Sequence, residues 1–215
     1  MKAYLKTAFF YLFCVLIPVA AQAGEDALYA AEAPDGAAFI RVVNADASGS
    51  IPEASIGGKV IEDIDPLETS PYIYLPEGTY ALTVQGQSAS VNMRKDSFYT
   101  AVVLDSGELQ ILEDATFDNP RKALVSFYNL TGNGDVALKT ADGKVAIVES
   151  VGPLATANRE LNAVKVALGA FSSGQALAKS APVDLQRGKV FSFFVIDVGG
   201  SPRLLVSENR VDTSV

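Results

Sequence analysis

Apolar positions recur along this chain in short runs, and where they alternate the period is two. Phe98 to Asp114, FYTAVVLDSGELQILED, is the clearest stretch. An apolar, β-branched run ends at Asp105, a Ser106-Gly107 turn follows, and a second apolar run begins at Leu109. Short runs rich in Val, Ile and Phe, separated by turn residues, predict a buried β-hairpin. Residues 190–209, VFSFFVIDVGGSPRLLVSEN, repeat the plan, with a run ending at Asp197, a Gly199-Gly200-Ser201-Pro202 turn and a second run from Leu204. The repetition extends upstream. AFIRVVN (38–44) aligns with ALVSFYN (123–129), Gly58-Lys59-Val60 with Gly143-Lys144-Val145, and Pro66-Leu67 with Pro153-Leu154. The order is kept throughout, which predicts two tandem copies of one all-β module.

Within the first copy, Phe39, Arg41 and Val43 alternate with Ile40, Val42 and Asn44. Both sets are largely apolar, so this strand is expected to be covered on both faces. Residues 44–52 read as a polar turn, and ASIGGKVI (54–61) as a strand interrupted at Gly57-Gly58 by a bulge or tight hairpin. Tyr80, Leu82 and Val84 should share one face, as should Ala89, Val91 and Met93. Tyr80, in GTYALTV, has the setting of the corner tyrosine of immunoglobulin-like sandwiches, whose hydroxyl bonds to nearby backbone. In the second copy, Asp142-Gly143 is a hairpin signal between DVALKT and KVAIVE. ATANRELNA (155–163) alone has helical composition, for two turns at most.

Short, evenly spaced strands and no sustained helix predict an all-β chain of two tandem β-sandwiches, immunoglobulin-like or carbohydrate-binding-module-like. The expected divisions are a cleaved signal peptide (1–23), a flexible acidic segment (24–36), a first sandwich (37–114), a linker (115–122), a second sandwich (123–210) and a frayed tail (211–215). The linker's brevity predicts modules in fixed or narrowly hinged contact.

Composition narrows the setting. Lys2 and Lys6 precede an apolar core, Thr7 to Ala20, and Ala21-Gln22-Ala23 supplies a cleavage site. That core is shorter than the roughly 20 apolar residues a membrane span needs. The only cysteine, Cys14, lies inside this segment, so the processed chain has none. An exported protein without disulfides points to a bacterial envelope. Cleavage leaves 15 basic against 25 acidic residues, a net charge of −10. Nucleic acid is therefore excluded as a partner, although Arg41, Lys59, Arg94 and Lys95 are candidates for a local basic patch.

The chain has no histidine and no tryptophan. Without histidine there is no imidazole base and no Ser-His-Asp triad. Without a free thiol there is no cysteine nucleophile, and the usual zinc sites are missing as well. No nucleophile elbow or phosphate-binding fingerprint occurs. Glu62, Asp63, Asp65 and Glu68 are candidates for paired-carboxylate hydrolysis, and Glu62, Asp63 and Asp65 for calcium. Neither they nor NLTGNGD (129–135) fit a calcium-loop spacing. Tyr72, Tyr74, Tyr80 and Tyr128 are candidates for stacking on sugars, though core or interface positions are the ordinary role of such residues. No catalytic, metal or cofactor-binding residue is assigned, no cofactor is expected, and the binding residues stay open. Protein–protein contact remains, including addition of a partner strand to an open sheet edge.

GEDALYAAEAPDGAAFIRVVNA, PEGTYALTV and FYTAVVLDSGELQILED, in this order and spacing, resemble the AlgF family of alginate biosynthesis proteins over essentially the whole processed chain. The resemblance implies a periplasmic protein required for O-acetylation of the exopolysaccharide alginate. It implies partners among the alginate O-acetyltransferase proteins of the inner membrane and periplasm. No active-site residue carries over. The expected function is a non-catalytic adaptor bridging those acetyltransferase components. The alternative is a carbohydrate-binding module presenting alginate, which so acidic a chain would bind weakly.

Overall fold

Turn chemistry sets where the strands reverse. Gly57 and Gly58 both take positive φ, 58° and 81°, as a two-residue type I′ hairpin loop requires. Of the two expectations for this position, the tight hairpin is the one observed. The computed structural model describes residues 33–132 and 134–214. The expected signal peptide and most of the acidic segment after it lie outside the described residues.

The first half contains β1 (Ala38–Asn44), β2 (Ile51–Ile56), β3 (Lys59–Ile64), β4 (Ile73–Leu75), β5 (Gly78–Val84), β6 (Gln87–Met93), β7 (Phe98–Val103) and β8 (Leu109–Asp114). The second contains β9 (Ala123–Asn129), β10 (Val136–Thr140), β11 (Ala146–Val151), β12 (Ala155–Leu161), β13 (Val164–Val166), β14 (Leu168–Ser172), β15 (Gln175–Lys179), β16 (Val183–Leu185), β17 (Val190–Val198) and β18 (Ser201–Glu208). Every regular element among the described residues is a strand.

The sheets state the duplication. Orders β4-β1-β7-β8 and β3-β2-β5-β6 in the first half recur as β12-β9-β17-β18 and β11-β10-β14-β15 in the second. In each copy the central pair is parallel, β1 with β7 and β9 with β17, among otherwise antiparallel ladders. The two hairpins read from sequence are β7–β8 and β17–β18. Even the strained backbone repeats. Asp63 and Leu67 hold φ of 52° and 59°, and their counterparts Ser150 and Leu154 hold 41° and 53°. The short ribbon β13–β16 belongs to the second copy alone.

Each copy encloses one core between its two sheets. In the first, Ile40 and Val42 of β1 and Ala101 of β7 meet Ile51, Ala54 and Leu82 of the facing sheet. In the second, Val125, Phe127 and Phe193 meet Val136, Leu138 and Leu168. The chain is thus an all-β pair of sandwiches in tandem. Tyr80 packs on the first core with Leu82 and Val84, and its hydroxyl donates to the Pro76 carbonyl at 3.0 Å, the corner arrangement expected.

Two expectations are corrected. ATANRELNA is not helical: Ala155–Leu161 is β12, paired antiparallel with β9 along its full length. Helix propensity is worth only about a few tenths of a kcal/mol per residue. A seven-residue ladder, with Ala155, Ala157 and Leu161 on the core, outweighs it. The tail does not fray at residue 211. Tyr72 N–H donates to the Arg210 carbonyl at 2.8 Å, and Asp212 N–H donates to the Tyr72 carbonyl at 2.7 Å. The backbone preceding β4 is thereby satisfied by the end of the chain.

Candidate interaction sites

Along β1, β7, β9 and β17 alternate residues face away from the sandwich cores, and these residues meet each other. Val43, Ala45 and Val102 of the first copy form one buried cluster with Tyr128, Leu130, Phe194 and Ile196 of the second. The two central sheets are therefore covered on both faces, the reason their strands read as near-continuous apolar runs.

Arg41 lies in this joint at 1% exposure. Its Nε donates to Thr100 Oγ1 at 2.9 Å, and its Nη1 to Asn209 Oδ1 at 2.8 Å. Its Nη2 donates to Ser192 Oγ at 2.8 Å and to Tyr128 Oη at 3.2 Å. The guanidinium also lies over the Tyr72 ring, 4.6 Å from its centroid. Asp114 balances the charge through intermediaries. It accepts from the hydroxyls of Thr100 and Tyr128 at 2.6 Å each and from Tyr72 at 2.8 Å. Ser192 closes the circuit by donating to Asn209 Oδ1 at 2.8 Å. The network takes residues from both copies and from the segment after β18, so it binds the two sandwiches to each other.

The electrostatics keep the guanidinium charged and the phenols neutral. Burial works against the charge on Arg41, but Tyr72, Tyr128 and Asp114 together outweigh it and hold its pKa above the ordinary value. Burial pushes the Tyr72 hydroxyl far up, with Arg41 opposing. Burial also raises Tyr128, reinforced by Asp114. A tyrosine whose folded pKa is raised stabilises the fold fully below its unfolded value, about 10. That contribution is lost as pH rises beyond it. Alkaline titration should show two phenols that ionise only together with unfolding. Phenolate absorbance rising for all tyrosines before any loss of β-sheet circular dichroism would contradict this.

Beside the joint lies a cavity of about 240 Å³ lined by Tyr72, Phe98, Phe117, Lys189, Asn209 and Arg210. Lys189 and Arg210 both pair with Glu208, at 3.5 and 3.8 Å. The volume is below the roughly 300–1,000 Å³ of small-molecule sites.

The residues singled out by sequence scatter over this framework. Arg41 is buried, Arg94 is exposed and paired with Glu113, and only Lys59 and Lys95 of the basic set line one groove. That groove, about 400 Å³, also holds Tyr74, with Lys59 Nζ 3.8 Å from its ring centroid. The four tyrosines form no common platform, because Tyr72 and Tyr128 are in the joint and Tyr80 is on the core. Glu62, Asp63 and Glu68 line a second groove of about 430 Å³ along β3, whereas Asp65 is not among its walls. Asn129 is engaged by the backbone of its own loop and edge strand. Its amide donates to the carbonyls of Gly134 and Val151, and its Oδ1 accepts from Thr131, which orders the turn. Sequence reasoning missed Thr100, Asp114, Ser192 and Asn209, whose only signal is that each is polar at the end, or on the outer face, of a duplicated strand.

Residues 13–192 match the family model described as Alginate O-acetyl transferase AlgF. The chain is 41% identical over 181 residues to the alginate biosynthesis protein AlgF of Pseudomonas aeruginosa, covering 84% of this chain and 82% of that one. The solved C-terminal domain of AlgF from P. aeruginosa is 39% identical, covers 41% of this chain and 99% of that domain, and superposes with a TM-score of 0.38. The corresponding N-terminal domain is 34% identical, covers 39% of this chain and 100% of that domain, with a TM-score of 0.35. The chain belongs to the AlgF family.

Proposed function

We propose that this chain acts in alginate biosynthesis as a non-catalytic periplasmic adaptor, bridging the acetyltransferase components that O-acetylate the polymer. The observation that carries this reading is the joint. Its guanidinium, carboxylate and phenols are all engaged with one another, and they hold two sandwiches as one body with separate sheet edges facing outward. Acetyl transfer needs an activated nucleophile and a base near its task. The chain has no histidine, and the most perturbed phenols here are kept protonated. The chemistry then resides in partner enzymes of the inner membrane and periplasm. A two-module bridge raises their effective concentration without new catalytic groups.

The test is retention of purified acetyltransferase subunits by the immobilised processed chain, with a chromogenic acetyl ester assay run alongside. Retained subunits and no ester turnover are expected. Loss of every subunit on washing, or turnover that survives removal of contaminants, would sink the proposal. The groove containing Lys59, Tyr74 and Lys95 favours a second reading, in which alginate itself is held, since lysines beside an aromatic ring suit a uronate sugar. Saturable quenching of tyrosine fluorescence by mannuronate oligomers, abolished in Lys95→Ala, would promote it.

A further inference from the structure

The two copies treat one equivalent sheet edge differently. In the second copy the outer edge strand is β11, and Arg159 of β12 reaches across the sandwich opening to cap it. Its Nη1 donates to the carbonyls of Ala146 and Ile147 at 2.9 and 3.2 Å. In the first copy the matching edge strand is β3. There Val60, counted back from the equivalent pairs Ile51–Ile64 and Val136–Val151, holds the place of Ile147 rather than that of Val145, with which the sequence aligns it. The place of Arg159 is taken by Ile73, which is 2% exposed and turned into the core. Among the described residues nothing corresponding to Arg159 covers β3.

The register fixes which backbone groups are left outward. In a two-residue hairpin the residues flanking the turn, Ile56 and Lys59, form the hydrogen-bonded pair. Alternation then turns the N–H and C=O of Val60 and Glu62 away from β2. No strand among the described residues pairs with that side. It opens instead on the groove of about 430 Å³, whose walls are β3, the segment before β4, and Asp212. Glu62, Asp63, Glu68 and Asp212 line it, and among the described residues no lysine or arginine forms its walls, although Lys59 lies close enough to help lower the pKa of Asp212. Val60 offers an apolar side chain there at 39% exposure.

We propose that the free edge of β3 is a strand-addition site for an extended, lysine- or arginine-containing segment of a partner protein. The partner's main chain pairs with Val60 and Glu62, and its cations meet the carboxylates of the groove. Main-chain pairing supplies affinity in this mode, and the alternating side chains supply selection. An open edge is a hazard that chains blunt by covering or charging it. Arg159 does so for one copy, and the acids here leave the other open to a basic strand only. The identity of the partner as an acetyltransferase subunit rests on the adaptor reading; the site itself does not.

The probe is a synthetic peptide of alternating lysine and valine, about nine residues long, compared with its glutamate–valine counterpart. The basic peptide should bind the processed chain, slow amide hydrogen exchange at Val60 and Glu62, and weaken as salt rises. Val60→Pro removes an N–H that β2 does not use and should abolish binding. The exposed pair Glu62→Lys with Glu68→Lys, which leaves the backbone intact, should weaken it about tenfold or more. Circular dichroism verifies that both variants fold. Amides at Val60 and Glu62 already protected in the free protein, equal binding of the two peptides, or unchanged binding by both variants each overturns the site. Subunit capture separates the two readings. Capture by the wild type and equally by both variants rejects the edge as the subunits' binding site and keeps the adaptor. Peptide binding without capture keeps the edge and rejects the adaptor.

Discussion

Replacing Arg41 by methionine is expected to destabilise the protein by about 3–5 kcal/mol, the usual cost of removing one partner from a buried charged network. Methionine fills much of the volume but donates nothing. The oxygens of Thr100, Tyr128, Ser192 and Asn209 each lose a donor at 2.8–3.2 Å. Asp114, 9% exposed, loses the cation that offsets its charge. Lysine should recover only part of the loss, because an ammonium cannot fork to several acceptors from one fixed plane. Urea unfolding of wild type, Arg41→Met, Tyr128→Phe and the double variant forms a cycle. A strongly non-additive result is expected, since the two residues share one network. The wild type should unfold in a single transition, whereas Arg41→Met should separate the two sandwiches into distinguishable steps. A loss under about 1 kcal/mol would mean that the apolar cluster around Val43, Val102 and Phe194 joins the copies without help.

Asn44→Ala and Asn129→Ala should each cost about 2–4 kcal/mol, and by similar amounts. Both asparagines are fully buried at the ends of equivalent strands. Asn44 donates to the carbonyls of Gly49 and Ile64 at 2.8 and 3.3 Å and accepts from Asp46 N–H at 3.1 Å. Asn129 donates to those of Gly134 and Val151 at 2.9 Å each and accepts from Thr131 N–H at 3.1 Å. Each side chain thus ties a loop to the edge strand two elements later. Alanine strands buried backbone groups, at about 1–3 kcal/mol for each one left without water or a partner. Equilibrium urea unfolding measures both. Hydrogen exchange should localise the first effect to residues 45–50 and the second to 130–135. A loss below about 0.5 kcal/mol in one copy, with the full loss in the other, would break the equivalence.

Asn44 read both as the last position of the first strand and as the start of a polar turn, which left its burial open. The structure puts it at the end of β1 and buries it, because a polar side chain that replaces three backbone partners is better satisfied inside than out. The matching asparagine at position 129 was visible in the alignment of the two copies, yet repetition does not say whether a residue is inside. Tyr80 was more legible, since its hydroxyl and its acceptor lie within a few residues of each other and need no distant element. Arg41 was the opposite case. It read as one of four basic residues that could converge, on a strand expected to be covered on both faces, and nothing local showed that the covering would enclose the cation.

The tail and β12 share one explanation. Local composition favoured fraying in one and a helix in the other. Each was decided by a ladder partner far away in sequence, Tyr72 for the tail and β9 for β12. Backbone donors and acceptors must be satisfied wherever they end up, and neighbours in sequence cannot reveal who satisfies them.

From the residues alone followed an all-strand chain, its duplication, the hairpins and the family resemblance. All of these depend on side-chain period and turn geometry, which act over a few residues at a time. Tertiary structure alone decided that the two central sheets face each other, that a buried arginine fastens them, and that one of two equivalent edges is covered by Arg159 while β3 is left open. Those outcomes depend on which surfaces come to lie together, and alternation specifies the face of a strand without specifying what will cover it.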